Sequence, residues 1–188
     1  MNRHTRRLRL CAVVAAAALA GTRLDGLLVS DLLADPKLTP SQFAGFFRDF
    51  TFETHPFDVQ NPDDFLARQC GDCIDYAVLA DYVLKKDGYT TRLIRIEMLG
   101  KDMGHAVCYV MDNKVYLDYN NRTYFRTLQK CGPSIRAIAT KVAESFEANW
   151  TFAQEFTYNY NTSVKHALLT VVKTDPPSSD PDHGAHKS

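Results

Sequence analysis

Residues 68–89, RQCGDCIDYAVLADYVLKKDGY, place Cys73 directly before a stretch in which small and apolar side chains recur at steps of three and four. This spacing predicts a helix over residues 73–87 that stops at Gly88. The sulfur of Cys73 would then lie in the first turn, near unpaired backbone N–H groups and the positive end of the helix dipole, where a thiolate is favoured. A buried, unreactive cysteine is the alternative that this stretch leaves open.

Three strand-like runs follow the helix, at residues 90–98, 105–111 and 114–119. Asp112-Asn113 predicts a two-residue hairpin turn between the second and third runs. In that register Val107 faces Asp118, so His105 and Asp118 project from the same face within reach of side-chain contact. A three-residue loop would turn the carboxylate to the opposite face, because side chains alternate along a strand.

Cys73, His105 and Asp118 together supply the groups that a thiol nucleophile needs. The imidazole takes the thiol proton, and the carboxylate fixes the tautomer and orientation of the imidazole. Taken singly, His105 is a half-buried strand histidine and Asp118 a turn former at a strand end. The combination in this order predicts a catalytic triad.

Three blocks resemble the transglutaminase-like superfamily, above all its bacterial cysteine peptidases: GDCIDYAVLADYVLKKDGYTTRLIRI, GHAVCYV and YLDYNN. The resemblance covers about residues 50–125. It implies an α+β, papain-like fold in which a helix carrying Cys73 packs on an antiparallel sheet carrying His105 and Asp118. It also implies that these three residues are the nucleophile, the base and the orienting acid.

Further candidates lie beside Cys73. Gln69, four residues earlier, is a candidate oxyanion donor, with the backbone N–H of Cys73 as the second donor. Asp72 and Asp75 are candidate calcium ligands, because some periplasmic members of the superfamily bind calcium at acids beside the nucleophile. Two carboxylates are fewer than the roughly six to eight oxygens of a calcium shell, and Asp75 also compensates the helix dipole. We therefore expect no cofactor, with calcium as the alternative.

The first residues, MNRHTRRLRLCAVVAAAALAGT, put four arginines ahead of an apolar run at residues 10–20. This layout predicts a signal peptide, residues 1–20, cleaved after Ala20. The run is shorter than the ~20 apolar residues that span a bilayer, so membrane contact is expected only through an uncleaved leader. The protein is therefore expected to be exported, either periplasmic or secreted.

The remaining chain suits one transglutaminase-like domain, residues 21–174, since 45% of the 188 residues are hydrophobic. Residues 175–188 are polar and proline-rich, which predicts a disordered tail. The formal net charge is zero, so no global field attracts nucleic acid. The expected partner is a protein or peptide substrate.

Cleavage would leave four cysteines: Cys70, Cys73, Cys108 and Cys131. In an oxidising compartment they allow two disulfides, or one disulfide and two free thiols, and spacing does not choose between these pairings. Cys70 and Cys73 also form a CxxC motif. No second CxxC follows for zinc, and the NPDDFLAR stretch before the motif predicts a helix rather than the strand of a thioredoxin-like site.

The leading hypothesis is a thiol-dependent amide acyl-transfer enzyme in the form of a cysteine peptidase. A protein-cross-linking transglutaminase shares the first half-reaction and differs only in the acceptor. A different class is a non-catalytic envelope module of the same fold, with Cys70 and Cys73 consumed in disulfides.

Flanking elements are predicted from the same patterns. Helices are expected around residues 24–32, from Pro40 onward and from Pro133 onward, and a β-hairpin at residues 150–173. The aromatic face of the hairpin is expected to pack on the sheet or a helix rather than to line a groove, and His166 to be structural.

Overall fold

The computed structural model describes residues 26–55, 58–101 and 104–174. Five α-helices are found in these residues: α1 (Val29–Leu33), α2 (Pro40–Phe46), α3 (Pro62–Arg68), α4 (Cys73–Lys86) and α5 (Ile135–Ser145). Eight strands are found there too: β1 (Thr51–Phe52), β2 (Cys70–Gly71), β3 (Thr91–Met98), β4 (His105–Val110), β5 (Val115–Leu117), β6 (Gln129–Lys130), β7 (Trp150–Asn159) and β8 (Val164–Val172). The predicted signal peptide and the predicted tail lie outside the described residues.

Six of the strands form one sheet in the order β6-β5-β4-β3-β7-β8, and every neighbouring pair is antiparallel. The short strands β1 and β2 form a separate parallel pair. Helix α4 packs on β3 and β4, whereas α5 packs on β3 and β7. The predicted α+β class, with the cysteine-bearing helix on an antiparallel sheet, is confirmed.

Helix α4 has a capped start and a glycine stop. Asp72 caps its N-terminus with the side chain, and Gly88, at φ +86°, takes the left-handed conformation that ends many helices. The buried side chains of α4 belong to a core shared with α1, α2, α3 and one face of the sheet. Burial of one such side chain contributes about 1.5–3 kcal/mol, so packing holds the helix in place.

A second core lies on the other face of the sheet. It joins α5, through Ile138 and Val142, to the strand residues Ile96, Val107 and Trp150. Because side chains alternate along a strand, His105 shares the face of Val107 and points toward the layer of α5. The ring of Phe146, just after α5, lies 4.8 Å from the ring of His105.

The hairpin of β4 and β5 has the predicted register. Cys108, Tyr109 and Val110 pair with Leu117, Tyr116 and Val115. Continuing this register by one pair sets Val107 opposite Asp118. The predicted register of the hairpin is therefore confirmed. As predicted, the side chains of His105 and Asp118 lie on the same face of the sheet.

The flanking predictions hold with two differences. The helix opened by Pro40, the helix after Pro133 and the hairpin of β7 and β8 are all present. The first helix is shorter than predicted, because α1 begins only at Val29, with Leu28 as its extended N-cap residue. The aromatic residues of β7 do not share one face as predicted: Trp150 and Phe156 are buried in different cores, and Phe152 is 37% exposed. A register shift where β7 passes Glu97 and Met98 of β3 turns Trp150 to the side of α5. No helix in the described ranges is long and apolar enough to cross a bilayer.

Candidate active site

Cys73 is the first residue of α4. The Asp72 carboxylate accepts hydrogen bonds from the backbone N–H groups of Ile74, at 2.9 Å, and Asp75, at 3.3 Å. Within the described part of the chain, no acceptor takes the N–H of Cys73. The first turn therefore keeps one unused donor beside the sulfur.

His105 and Asp118 form a buried pair. The Nε2 atom of His105 lies 2.9 Å from Oδ1 of Asp118, and their side chains are 6% and 1% exposed. The backbone N–H of Asn120 donates to the same carboxylate oxygen at 2.9 Å, which fixes the acid at the start of the 3-10 helix Tyr119–Tyr124. An ionised carboxylate only accepts hydrogen bonds, so Nε2 carries a proton.

The thiol of Cys73 lies against the same histidine. The backbone N–H of Ala106, the residue after His105, donates to Sγ at 3.4 Å, and Cys73 and His105 line the same cavity. Because Asp118 occupies Nε2, Nδ1 is the nitrogen left for the sulfur. The structure thus brings together the three residues of the predicted triad.

The charges around His105 decide its protonation. Burial lowers the pKa of His105, but the charge and hydrogen bond of Asp118, together with Cys73, outweigh burial and raise this pKa to about 10. His105 is therefore an imidazolium at neutral pH. A cation at this position lies beside the sulfur of Cys73.

The other cysteines have a different environment. Cys70, Cys73, Cys108 and Cys131 are all free thiols in the structure. Burial raises the pKa of the Cys108 thiol and, less strongly, that of Cys131. A hydrogen bond with Glu53, added to burial, raises the pKa of Cys70. These three thiols are held in the protonated, unreactive form.

Gln69, the predicted oxyanion donor, is not brought to this site. It is the C-cap residue of α3, in the left-handed conformation at φ 52°, and its backbone carbonyl accepts from Thr51. Its exposed side chain lines a separate cavity together with Phe46 and Phe50. The turn that ends α3 carries Gln69 away from Cys73, which spacing along the sequence did not reveal.

A second histidine lies beside the start of α4, and sequence reasoning missed it. His55 Nε2 is 2.7 Å from Oδ2 of Asp75 and 3.7 Å from Oδ2 of Asp72. Gln60 donates to both oxygens of Asp75, from its backbone N–H at 2.7 Å and from Nε2 at 3.0 Å. Asp75 is therefore a buried acceptor as well as a first-turn acid.

Gly71 leaves room for this cluster. A Cβ atom at Gly71 would lie 2.6 Å from Oδ2 of Asp75, 2.7 Å from Nε2 of Gln60 and 2.7 Å from the ring of Phe65. Such separations are shorter than real Cβ contacts. The glycine of the GDC motif is thus required by the side chains packed over it.

The acids beside Cys73 are close enough to hold a metal ion. One ligand atom from each of His55, Asp72 and Asp75 lies within 4.8 Å of the others. The set does not fit calcium in this conformation, because one of the three groups is a nitrogen and calcium takes roughly six to eight oxygens. In addition, Asp75 Oδ2 already accepts hydrogen bonds from Gln60 and Asp72.

Cys73 and His105 line a cavity of about 690 Å³. This volume lies within the ~300–1,000 Å³ of typical ligand sites. Two ion pairs stand in its wall, Arg95–Glu97 at 2.8 Å and Lys165–Asp58 at 2.5 Å. The cavity therefore offers charges of both signs to a bound chain, next to the thiol.

The site combines a cysteine at the start of a helix with a buried histidine–aspartate pair on an antiparallel sheet. This combination places the protein in a class of α+β domains that carry a thiol beside a histidine. The family model of the transglutaminase-like domain, DUF553, matches residues 37–130. This range is half of the chain and includes Cys73, His105 and Asp118. The chain belongs to the transglutaminase-like domain family.

Comparison with solved structures finds calcium-bound LapG from Legionella pneumophila. The two chains are 17% identical, with a TM-score of 0.45, over 66% of this chain and 71% of LapG. A search of curated proteins finds no match.

Proposed function

We propose that the chain is a cysteine peptidase that cleaves amide bonds in protein or peptide substrates through Cys73. The observation that carries this proposal is the buried contact of His105 Nε2 with Asp118 at 2.9 Å, which leaves Nδ1 for the thiol. Membership of the transglutaminase-like family supports the same chemistry. His105 serves as base and acid, and Asp118 orients it.

Acylation begins when the Cys73 thiolate attacks the substrate carbonyl carbon. The carbonyl π electrons move to oxygen, and the unused N–H of Cys73 donates to the resulting oxyanion. When this intermediate collapses, the C–N bond breaks and His105 gives its proton to the leaving amine. The product is a thioester between the acyl group and Cys73.

Deacylation uses the same residues in reverse. A water molecule loses a proton to His105 and adds to the thioester carbonyl. The C–S bond then breaks, the carboxylic acid leaves, and the thiolate of Cys73 is restored beside the His105 imidazolium. In this proposal the reaction needs no cofactor.

The proposal is tested by labelling and by turnover. A chloroacetamide probe should modify Cys73, and unfolded casein should be cleaved by the protein but not by Cys73→Ser. A protein that labels at Cys73 but incorporates a fluorescent amine into casein faster than it cleaves casein would be a transglutaminase. A protein that neither labels nor cleaves would be a non-catalytic module.

We also propose that the protein is exported. The arginines before the apolar run at residues 10–20 support this, and signal peptidase would then leave Gly21 at the mature N-terminus. Intact-mass measurement on periplasmic and cytosolic fractions tests it. The full chain in the cytosol alone would contradict export.

A further inference from the structure

The structure assigns to His55 a positioning role for the nucleophile: its Nε2–H holds the carboxylates of Asp75 and Asp72 and so fixes the start of α4 that presents Cys73 to the cavity. His55 comes from the segment between β1 and α3, outside the predicted triad. The inference rests on the proposed function of Cys73 as the nucleophile.

The first support is burial. The side chains of His55, Asp75 and Asp72 are 4%, 1% and 14% exposed. Two carboxylates this close and this buried repel each other and lose hydration, which is costly without a positive or hydrogen-donating partner. The imidazole of His55 supplies such a partner, at 2.7 Å from Asp75 and 3.7 Å from Asp72.

The second support is a chain of hydrogen bonds from His55 to Cys73. His55 contacts Oδ2 of Asp75 at 2.7 Å, and the same oxygen accepts the backbone N–H of Asp72 at 3.0 Å. Asp72 in turn caps the N–H groups of Ile74 and Asp75. Asp72, Ile74 and Asp75, which flank Cys73 in the sequence, are thus joined to His55 by one network of hydrogen bonds.

Gln60 and His55 both contact Asp75, but His55 also lies near Asp72. Gln60 binds Asp75 twice and also donates to the Cys70 carbonyl at 3.1 Å, so it anchors the acid to the strand before the helix. Its contacts do not reach Asp72. His55 contacts Asp75 and lies near Asp72, and it also lines the cavity of Cys73.

The network also bears on metal binding. A cation that bridged Asp72 and Asp75 would have to take the place of the His55 N–H on Oδ2 of Asp75. We therefore expect the start of α4 to be held by His55 in the unmodified protein without added calcium.

The test measures the alkylation rate of Cys73 by iodoacetamide with peptide mapping, because this readout needs no substrate. His55→Ala should slow alkylation about 10- to 100-fold, as expected for a misplaced reactive group, and should lower kcat more than it changes KM. His55→Gln, whose amide N–H can reach the same oxygen, should restore most of the rate. His166→Ala, at an exposed position of β8, is the matched control and should change nothing.

Three results would overturn the inference. If His55→Ala kept the wild-type alkylation rate and kcat, Asp72 and Asp75 would keep their positions at the start of α4 without the imidazole. His55→Gln as slow as His55→Ala would show that ring packing, not the N–H, matters. A chelator that slows alkylation of the wild type would show that a bound cation holds the acids. If circular dichroism shows that His55→Ala does not fold, the His55→Gln variant and the chelator experiment decide the question.

The test also separates this inference from the proposed function. If alkylation of Cys73 depends on His55 but the protein cleaves no substrate, the proposed peptidase activity is wrong and the positioning role of His55 stands.

Discussion

Asp118 Oδ1 lies 2.9 Å from His105 Nε2, although the two residues are 13 positions apart in the sequence. The hairpin of β4 and β5 accounts for this contact, since its register sets Val107 opposite Asp118 and turns both side chains toward the layer of α5. The contact leaves one imidazole nitrogen, Nδ1, to face Cys73.

Cys73 should alkylate faster than the other three thiols at neutral pH. Cys73 lies at the start of α4 beside the His105 imidazolium, whereas burial raises the pKa of Cys108 and Cys131, and the Glu53 contact raises that of Cys70. Limited iodoacetamide treatment with mass spectrometry of the peptides measures the four rates. Equal rates in the folded protein would contradict the prediction.

Replacing the triad residues should separate their roles. Cys73→Ala and His105→Ala should each remove nearly all turnover, about 10⁴-fold or more, because nucleophile and base act as one unit. Asp118→Asn should reduce turnover by less, since an amide can hold the imidazole but cannot stabilise imidazolium by charge. Steady-state kinetics on a cleaved substrate measures each loss.

The double variant Cys73→Ala with His105→Ala is the internal control. It should be little worse than either single variant, since removal of one member already disables the unit. A His105→Ala variant with wild-type hydrolysis would mean that the thiol uses another base, and the family membership would then describe fold only.

Stability should depend on pH through His105. Its pKa is raised from 6.5 to about 10 in the folded protein, so its contribution is fully present below pH 6.5 and is lost as the pH rises through about 10. The excess unfolding free energy of wild type over Asp118→Asn should therefore shrink across this window. Urea denaturation at several pH values measures it, and a constant difference would show that Asp118 does not hold the proton.

Gly71→Ala should destabilise the protein by about 2 kcal/mol, the usual cost of overpacking. The added methyl would lie 2.6 Å from Oδ2 of Asp75, so the network at the start of α4 must shift. Gly132→Ala is the matched control, because its methyl would lie 3.6 Å from the nearest atom, an ordinary contact. Urea denaturation of both variants should show the loss at Gly71 only.

The parts of the fold that sequence predicted are those fixed by local rules. The periodicity after Cys73 and the glycine stop determine α4, and the short turn at residues 112–113 determines which face Asp118 takes. Both signals act within a few residues, so they can be read without knowledge of the tertiary structure.

The parts that sequence did not predict depend on long-range contacts. His55 meets Asp75 across 20 positions, and no pattern in the loop around His55 marks it. The oxyanion role predicted for Gln69 assumed that spacing from Cys73 sets distance, but the left-handed turn at the end of α3 carries the side chain to another cavity. Backbone direction at that turn is set by tertiary packing.

The two cores meet at the thiol. Cys73 packs against the core of α4, whereas the ring of His105 contacts Phe146 on the side of α5. Sulfur and imidazole are therefore held by different layers, which touch at the end of the sheet. Heating that loosens either layer would widen the gap between them before the strands separate. Thermal inactivation should thus precede the loss of secondary structure, and the temperature interval between the two would report how firmly the layers are joined.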